Sequence, residues 1–295
     1  MTEHEAKLQK AGQFLEHGKY LHAIQIYKSL LQDPQTKRKA VIKLVEIYDG
    51  QNHYEAAVNT FEFYFESEPD DENMRAFYAQ FLIKYEQYNE AVQTLSLVSS
   101  KNQPEKNFLI GTINYHLGEY EIAIINFKEF IRHNKNSVFN VDANLSLARC
   151  FVELNDYEKA LEYLKLCEEI ESNNFNVLKT LAEVYFEKEM FYHANEKIQK
   201  AITIFPIDLD LFQLSAKIFL KLNEPDIALK ELNFYLENTK PTAESYALKG
   251  LIFQKKNDFE EAIIYFEKAL ELNPADEIAT KGKHACIKYQ KSLGD

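Results

Sequence analysis

The fold is decided by residues 243–276, which read AESYALKGLIFQKKNDFEEAIIYFEKALELNPAD. In this stretch Gly250 and Ala262 stand twelve residues apart, and Phe259 precedes Ala262 by three positions. Asn257 lies between the two small residues, where an amino acid that tolerates a positive φ can end one helix before the next begins. Small residues on both sides of such a turn let the two helices approach closely. The stretch therefore predicts a helix, a tight turn and a second helix.

The same arrangement recurs along the chain. Residues equivalent to Ala262 follow one another at spacings of 34, 34, 32, 37, 34, 34 and 34 positions. They are Ala23, Ala57, Ala91, Ala123, Ala160, Ala194, Ala228 and Ala262. An aromatic residue precedes this alanine by three positions in every copy except the seventh, where Pro225 stands, and Val45 is the one large residue in the preceding small column. A period of this length is typical of stacked helical repeats, in which each repeat buries its apolar face against its neighbours.

Turn and boundary residues divide the chain into eight repeats. The turn position holds glycine or asparagine in six copies, and most prolines fall at repeat boundaries, where they do not interrupt a helix. The repeats begin near His4, Arg38, Glu72, Pro104, Val141, Phe175, Leu209 and Ala243. We therefore predict one array over residues 1–276, followed by a capping helix and tail over residues 277–295. The fourth repeat is three residues longer than the usual 34, which predicts an irregularity near residues 130–142.

The pattern resembles the tetratricopeptide repeat. The last copy carries the residues that mark the family motif, with Lys249 in place of the usual leucine. These residues are Tyr246, Gly250, Phe253, Phe259, Ala262, Phe266, Ala269 and Pro274. The resemblance implies an all-α fold, a right-handed α-solenoid of eight helix-turn-helix units with a C-terminal capping helix. It also implies that the first helix of each repeat lines a concave surface, which suits the recognition of a protein segment or peptide.

Projecting that concave surface onto this sequence gives two groups of candidate binding residues. The first is an apolar strip of Phe77, Ile83, Phe108, Leu109, Thr112 and Tyr115. The second is a charged stretch in which Arg149, Lys179, Glu183, Lys217, Lys221 and Lys255 alternate with Asp142, Glu153, Glu187 and Asp210. We expect a bound peptide to contact both groups. The alternative for the apolar strip is that its side chains pack between neighbouring helices.

Composition argues against several kinds of partner. The formal net charge of −12 disfavours nucleic acid because the phosphate backbone would be repelled. Charges interrupt every helix-length window, so we expect no membrane insertion. The N-terminus lacks the apolar core of a secretory signal, so we expect no export. Cys150, Cys167 and Cys286 lack the spacing of a metal site, and pairing two would leave one thiol over. This favours a reducing, cytoplasmic location and predicts no metal.

The chain lacks the motifs of common catalytic and cofactor sites. No serine elbow, zinc-binding HExxH, haem-attachment CxxCH or dinucleotide fingerprint occurs in the sequence. We therefore expect no catalytic residues, no cofactor and no enzyme activity. The predicted function is that of a scaffold or adaptor that binds another protein in the concave groove. The alternative is a regulatory sensor in which a peptide or small ligand tightens the array and so controls a partner protein. Self-association is compatible with either function.

Overall fold

The chain folds into helices only, within the part that the structure describes. The computed structural model describes residues 3–99, 105–134 and 140–294, with side chains up to residue 292. In these ranges it contains seventeen α-helices and no strand. The predicted all-α solenoid of helix-turn-helix repeats with a closing C-terminal helix is confirmed. Two compact units are found, Met1–Ile113 and Asn114–Asp295. That residues 1–276 act as one array stays a prediction.

Odd-numbered helices are the first helices of the repeats and even-numbered helices are the second. The first four repeats contain α1 (Glu3–Glu16), α2 (Tyr20–Ser29), α3 (Pro34–Gly50), α4 (Tyr54–Ser67), α5 (Glu72–Lys84), α6 (Tyr88–Ser96), α7 (Glu105–His116) and α8 (Tyr120–His133). The last four contain α9 (Asn140–Glu153), α10 (Tyr157–Ile170), α11 (Phe175–Glu187), α12 (Phe191–Ile204), α13 (Asp210–Lys221), α14 (Pro225–Asn238), α15 (Ala243–Lys255) and α16 (Phe259–Leu272). The closing helix is α17 (Glu277–Gly294).

Two predictions from the sequence concern residues that lie outside the described ranges. The start of the fourth repeat at Pro104 belongs to residues 100–104, which lie outside the described residues. The predicted irregularity near residues 130–142 includes residues 135–139, which also lie outside them. On either side of this second gap, α8 ends at His133 and α9 begins at Asn140. The irregularity therefore stays a prediction.

The repeating small residues of both helices are buried in all eight repeats. All eight alanines of the column that ends at Ala262 are 0% exposed. The preceding small column, from Ala11 to Gly250, is buried in every repeat as well, including Val45. The second helix of each repeat begins at the recurring aromatic residue, or at Pro225 in the seventh repeat, where a proline fits the first helical position. Close helix contact therefore explains the period.

The turn inside each repeat has the same backbone conformation. A residue with positive φ ends each first helix at positions 18, 52, 86, 118, 155, 189, 223 and 257, with φ between 57° and 78°. The amide of this residue and the amide that follows it donate back in a Schellman pattern. In the last turn Asn257 N donates to Gln254 O at 3.0 Å and Asp258 N donates to Phe253 O at 3.0 Å. Six of these residues are the glycines and asparagines expected from sequence. The other two are Glu86 and Glu189, whose side chains give no hint of this conformation.

The two turn glutamates store strain that a substitution can relieve. Glu189 has φ of 57°, a conformation that costs most side chains energy but that asparagine tolerates. We expect Glu189→Asn to raise the free energy of unfolding by about 0.5–1 kcal/mol. The reciprocal variant Asn223→Glu, at the equivalent turn with φ of 66°, should lower it by a similar amount. Chemical denaturation measures both, and equal stabilities for the two variants would contradict the strain argument.

The first compact unit has an aromatic core centred on Phe61. Phe61 is 0% exposed, and its ring centroid lies 4.6 Å from Tyr78, 5.4 Å from Phe77 and 5.6 Å from Phe81. Phe61 belongs to α4, whereas the other three rings belong to α5. These rings therefore join the second helix of one repeat to the first helix of the next, which is the interface on which a solenoid depends.

The closing helix α17 packs on the last repeat around Phe266. Phe266 is 0% exposed and lies between Gly250 of α15 and Gly282 of α17. A Cβ atom added at Gly282 would lie 2.7 Å from Cε1 and Cε2 of the Phe266 ring, and one at Gly250 would lie 2.6 Å from Cδ1. Because both glycines have no side chain, the ring fits between the two helices. Ala279 and Cys286 of α17 are also 0% exposed in the same cluster.

Candidate functional site

The apolar strip expected from sequence is largely part of the core of the first compact unit. Leu109 is 5% exposed and belongs to a buried cluster, so its side chain packs between helices. Phe77 is half-buried against Phe61, and Ile83 and Phe108 are half-buried against the cluster that contains Leu109. Aromatic and aliphatic bulk on neighbouring helices covers these positions. That this strip contacts a bound segment stays a prediction.

Thr112 and Tyr115 lie further along α7 and are each half-buried. Thr112 Oγ1 donates to Phe108 O at 2.9 Å within the helix. The Tyr115 ring centroid lies 5.6 Å from that of Tyr120, and burial raises the pKa of Tyr115, with the Glu153 carboxylate adding to the rise. Neither residue lines the two cavities described next.

The second compact unit contains a cleft on the faces of its first helices, which we name the α11–α13 cleft. It encloses a volume of about 320 Å³. Its lining residues are Lys179, Glu183, Phe186 and Glu187 of α11, Asp210, Gln213, Leu214 and Lys217 of α13, and Glu244 of α15. Asn174 fixes the start of α11 by accepting a hydrogen bond from Val177 N at 3.2 Å. The helix that carries four of the lining residues is thus capped at its start.

A second cavity of about 320 Å³ adjoins this cleft and shares Phe186, Lys217 and Glu244 with it. Its remaining lining residues are mainly apolar and come from α13, α15, α17 and the residue before α17: Leu220, Lys221, Ala247, Leu248, Leu251, Asp276 and Ile278. The first residues of α15 are held by a capping box in which Ser245 N donates to Thr242 Oγ1 at 3.2 Å. We name the two cavities together the first-helix groove. It has a charged half and an apolar half.

Ion pairs already use both lysines of the α11–α13 cleft. Lys179 Nζ lies 2.8 Å from Asp208 Oδ2, and Lys217 pairs with Glu244. Glu183, one turn after Lys179, is half-buried and lacks a hydrogen bond or ion pair among the described residues. Burial raises the pKa of Glu183, and the charges of Lys179 and Arg149 only partly oppose that rise. Gln213 Nε2 is buried and also lacks a hydrogen-bond partner in the described part of the chain.

The charged stretch expected from sequence is brought together only in part. Lys179, Lys217 and Lys221 line the first-helix groove, as do Glu183, Glu187 and Asp210. Arg149 and Lys255 line neither cavity, and the same holds for Asp142 and Glu153. Gln213 and Leu214 were missed because neither residue type stands out. A register signal was available, since Gln213 follows Lys179 by one period of 34 positions.

The described ranges do not contain a metal-ligand cluster: no group of three or more histidine, cysteine, aspartate or glutamate residues there is placed to hold a metal ion. No helix there is both long enough and apolar enough to cross a membrane. The three cysteines are buried free thiols, and burial raises the pKa of Cys150 and Cys167 to about 12. A thiol with so high a pKa is a poor nucleophile at neutral pH.

Comparison with known proteins supports the repeat assignment. Two models described as tetratricopeptide repeat match the chain, one at residues 141–174 and 243–276 and the other at residues 50–108. The chain is similar to the anaphase-promoting complex subunit CDC16 of Saccharomyces cerevisiae, with 30% identity over 144 residues, which are 46% of this chain and 17% of that protein. It is also similar to a DnaJ homolog subfamily C member 7 homolog of Dictyostelium discoideum, with 22% identity over 73% of this chain and 36% of that protein. The chain thus spans well under half the length of either relative.

A solved structure gives the same fold. The crystal structure of the APC/C hetero-tetramer Cut9-Hcn1 superposes with a TM-score of 0.70 over 95% of this chain and 55% of that one, at 16% sequence identity. At that identity the likeness concerns the fold alone. The repeated helix pairs, the buried alanine column, the eight equivalent turns and the family matches agree with one another. The chain is a tetratricopeptide repeat protein.

Proposed function

We propose that this protein is a non-catalytic scaffold or adaptor that binds a segment of another protein in the first-helix groove. The observation that carries the proposal is the groove itself. Its two cavities adjoin and are lined by α11, α13, α15 and α17, so that one face of consecutive repeats is open to a ligand. An extended protein segment spans consecutive repeats, whereas a small compact ligand would occupy one cavity.

The lining of the groove suits a protein segment. Its apolar half, with Leu220, Leu251 and Ile278, can bury apolar side chains of a partner. Its charged half offers ionised and amide groups that fix register and orientation. A groove with a few polar groups set among apolar residues is typical of a binding site. The proposal draws further support from the yeast relative, whose name describes it as a subunit of a larger complex.

The proposal is tested by selecting partners for the full chain from a display library of random protein segments. Selected segments are then measured for binding to the wild-type chain and to Leu214→Trp, in which a larger ring fills the α11–α13 cleft. We expect the substitution to weaken binding by about tenfold or more, because a central contact in a groove carries much of the affinity. Fluorescence polarisation measures the affinities.

The matched control is Ile264→Trp on α16. Ile264 is 44% exposed and lines neither cavity, so the same bulky ring is added away from the groove. We expect this variant to bind selected segments as the wild type does. Circular dichroism and thermal melting establish that both variants are folded. A library that yields no binding segment, or segments that bind Leu214→Trp as well as wild type, would argue against the groove as a protein-binding site.

A further inference from the structure

Glu183 is the most unusual ionisable group in the α11–α13 cleft. It is half-buried, and Lys179, the cation on the same helix, pairs with Asp208 at 2.8 Å. Arg149 acts on the carboxylate only beyond ion-pair distance. A half-buried carboxylate without a hydrogen bond or ion pair costs stability. Glu183 therefore has unused capacity to accept hydrogen bonds from a cation.

Gln213 is a second incomplete group in the same cleft. Its Nε2 atom is buried and lacks a hydrogen-bond acceptor among the described residues, and the residue lines the cleft from α13. A buried amide donor that makes no hydrogen bond has lost its contact with water without a replacement, which destabilises the fold. A ligand that presents an oxygen atom to this donor would remove that destabilisation. The cleft thus combines an unsatisfied acceptor and an unsatisfied donor.

The charge balance of the cleft points in the same direction. Its two lysines are paired with Asp208 and Glu244. Three lining carboxylates, those of Glu183, Glu187 and Asp210, make no ion pair within the described residues. An incoming positive charge therefore meets free carboxylates, whereas an incoming negative charge meets lysines that are already neutralised. The cleft favours a cation.

We propose that the α11–α13 cleft recognises a lysine or arginine side chain of the bound protein segment. The cationic group donates hydrogen bonds to the Glu183 carboxylate, and Gln213 Nε2 donates to a main-chain carbonyl oxygen of the same segment. Phe186 and Leu214 contact the aliphatic stem of the basic side chain. This inference rests on the proposed function, because it specifies which segments the first-helix groove accepts.

Ionised Glu183 has opposite effects on binding and on stability in this proposal: it strengthens binding and destabilises the unliganded fold. Burial raises the pKa of Glu183, so the folded chain holds this proton more tightly than the unfolded chain does. The stabilising contribution is present at low pH and is lost as pH rises through the raised pKa. At higher pH the ionised carboxylate therefore destabilises the unliganded fold. A residue kept for structure would show the opposite behaviour on substitution.

The test uses basic segments selected on the full wild-type chain, together with the same segments carrying norleucine in place of lysine. We expect Glu183→Gln to weaken binding of the lysine segments by about tenfold, which corresponds to about 1.4 kcal/mol. Binding of the norleucine segments should be unchanged by the substitution. The melting temperature of unliganded Glu183→Gln should equal or exceed that of wild type. The matched control, Glu260→Gln, removes an exposed carboxylate of α16 that lies outside the groove lining and should leave binding unchanged.

The outcomes distinguish this inference from the proposed function. Selected segments that bind the groove but show no enrichment in lysine or arginine would overturn the inference and leave protein binding intact. The same holds if Glu183→Gln weakens lysine and norleucine segments equally. A lower melting temperature for Glu183→Gln, with unchanged preference for lysine, would assign Glu183 a structural role and also overturn the inference. A failure to select any segment overturns the proposed function itself.

Discussion

Replacing Phe61 by alanine should lower the free energy of unfolding by about 3–5 kcal/mol. The Phe61 side chain is fully buried and contacts the rings of Phe77, Tyr78 and Phe81 on the next repeat. Its removal therefore leaves a cavity and also breaks several aromatic contacts between α4 and α5. Because each repeat depends on its neighbours, the loss should spread beyond α4.

Hydrogen exchange resolved along the chain measures the effect of Phe61→Ala. We expect amides of α3 to α5 to lose protection first, since these helices surround the cavity. Phe63→Ala on the same helix is the control, because Phe63 is not part of the core cluster and lies beside Lys37, whose Nζ is 5.1 Å from its ring centre. Phe63→Ala should lower the free energy of unfolding by less than half as much as Phe61→Ala does. Equal losses for the two variants would show that the aromatic core is not centred on Phe61.

Adding a single methyl group at Gly282 should destabilise the closing helix α17 by about 1–3 kcal/mol. The new Cβ atom would lie 2.7 Å from Cε1 and Cε2 of Phe266, which is too close for any carbon contact. Phe266 is 0% exposed and packs against Gly250 on its other side, so its ring has little room to move away. Overpacking at this position therefore separates α17 from α15 and α16.

Gly12→Ala in α1 is the matched control for the change at Gly282. Nothing lies within 4 Å of a Cβ atom added at Gly12, so this variant gains helix propensity without a clash. We expect it to stabilise α1 by about 0.5–1 kcal/mol, the reverse of the effect at Gly282. Thermal melting and exchange of the α17 amides measure both changes. A Gly282→Ala chain with wild-type stability would contradict the close packing of Phe266.

The fold could be predicted from sequence because small residues recur at a nearly constant spacing along the chain. All eight alanines of the column are 0% exposed. A larger side chain at any of these positions would push the two helices of the repeat apart. The turns were harder to predict at Glu86 and Glu189. There the Schellman hydrogen bonds and the packing of both flanking helices impose a positive φ on a residue that does not favour it. Tertiary structure overrides local preference at these two turns.

The sequence predicts which helix face carries the candidate site, but it does not predict how deeply each side chain on that face is buried. The period places Leu109 and Lys217 on first helices, yet Leu109 is buried whereas Lys217 lines the groove. How deeply a side chain is buried depends on the residues of the neighbouring helices. These residues cannot be identified from the sequence of one repeat. Gln213 could not be predicted for the same reason. It is singled out because its Nε2 atom lacks a hydrogen-bond partner and the residue lines the cleft. Only the assembled helices define that environment.

The central claim, that the first-helix groove binds a protein segment, is tested most directly by photo-crosslinking. A selected segment carrying a photoreactive residue is bound to the full wild-type chain, irradiated, and the labelled residues are identified by mass spectrometry. The groove predicts labels on α11, α13 and α15, around Phe186, Leu214 and Leu251, and their loss in Leu214→Trp. Labels confined to the second helices, or labels that persist in Leu214→Trp, would contradict it.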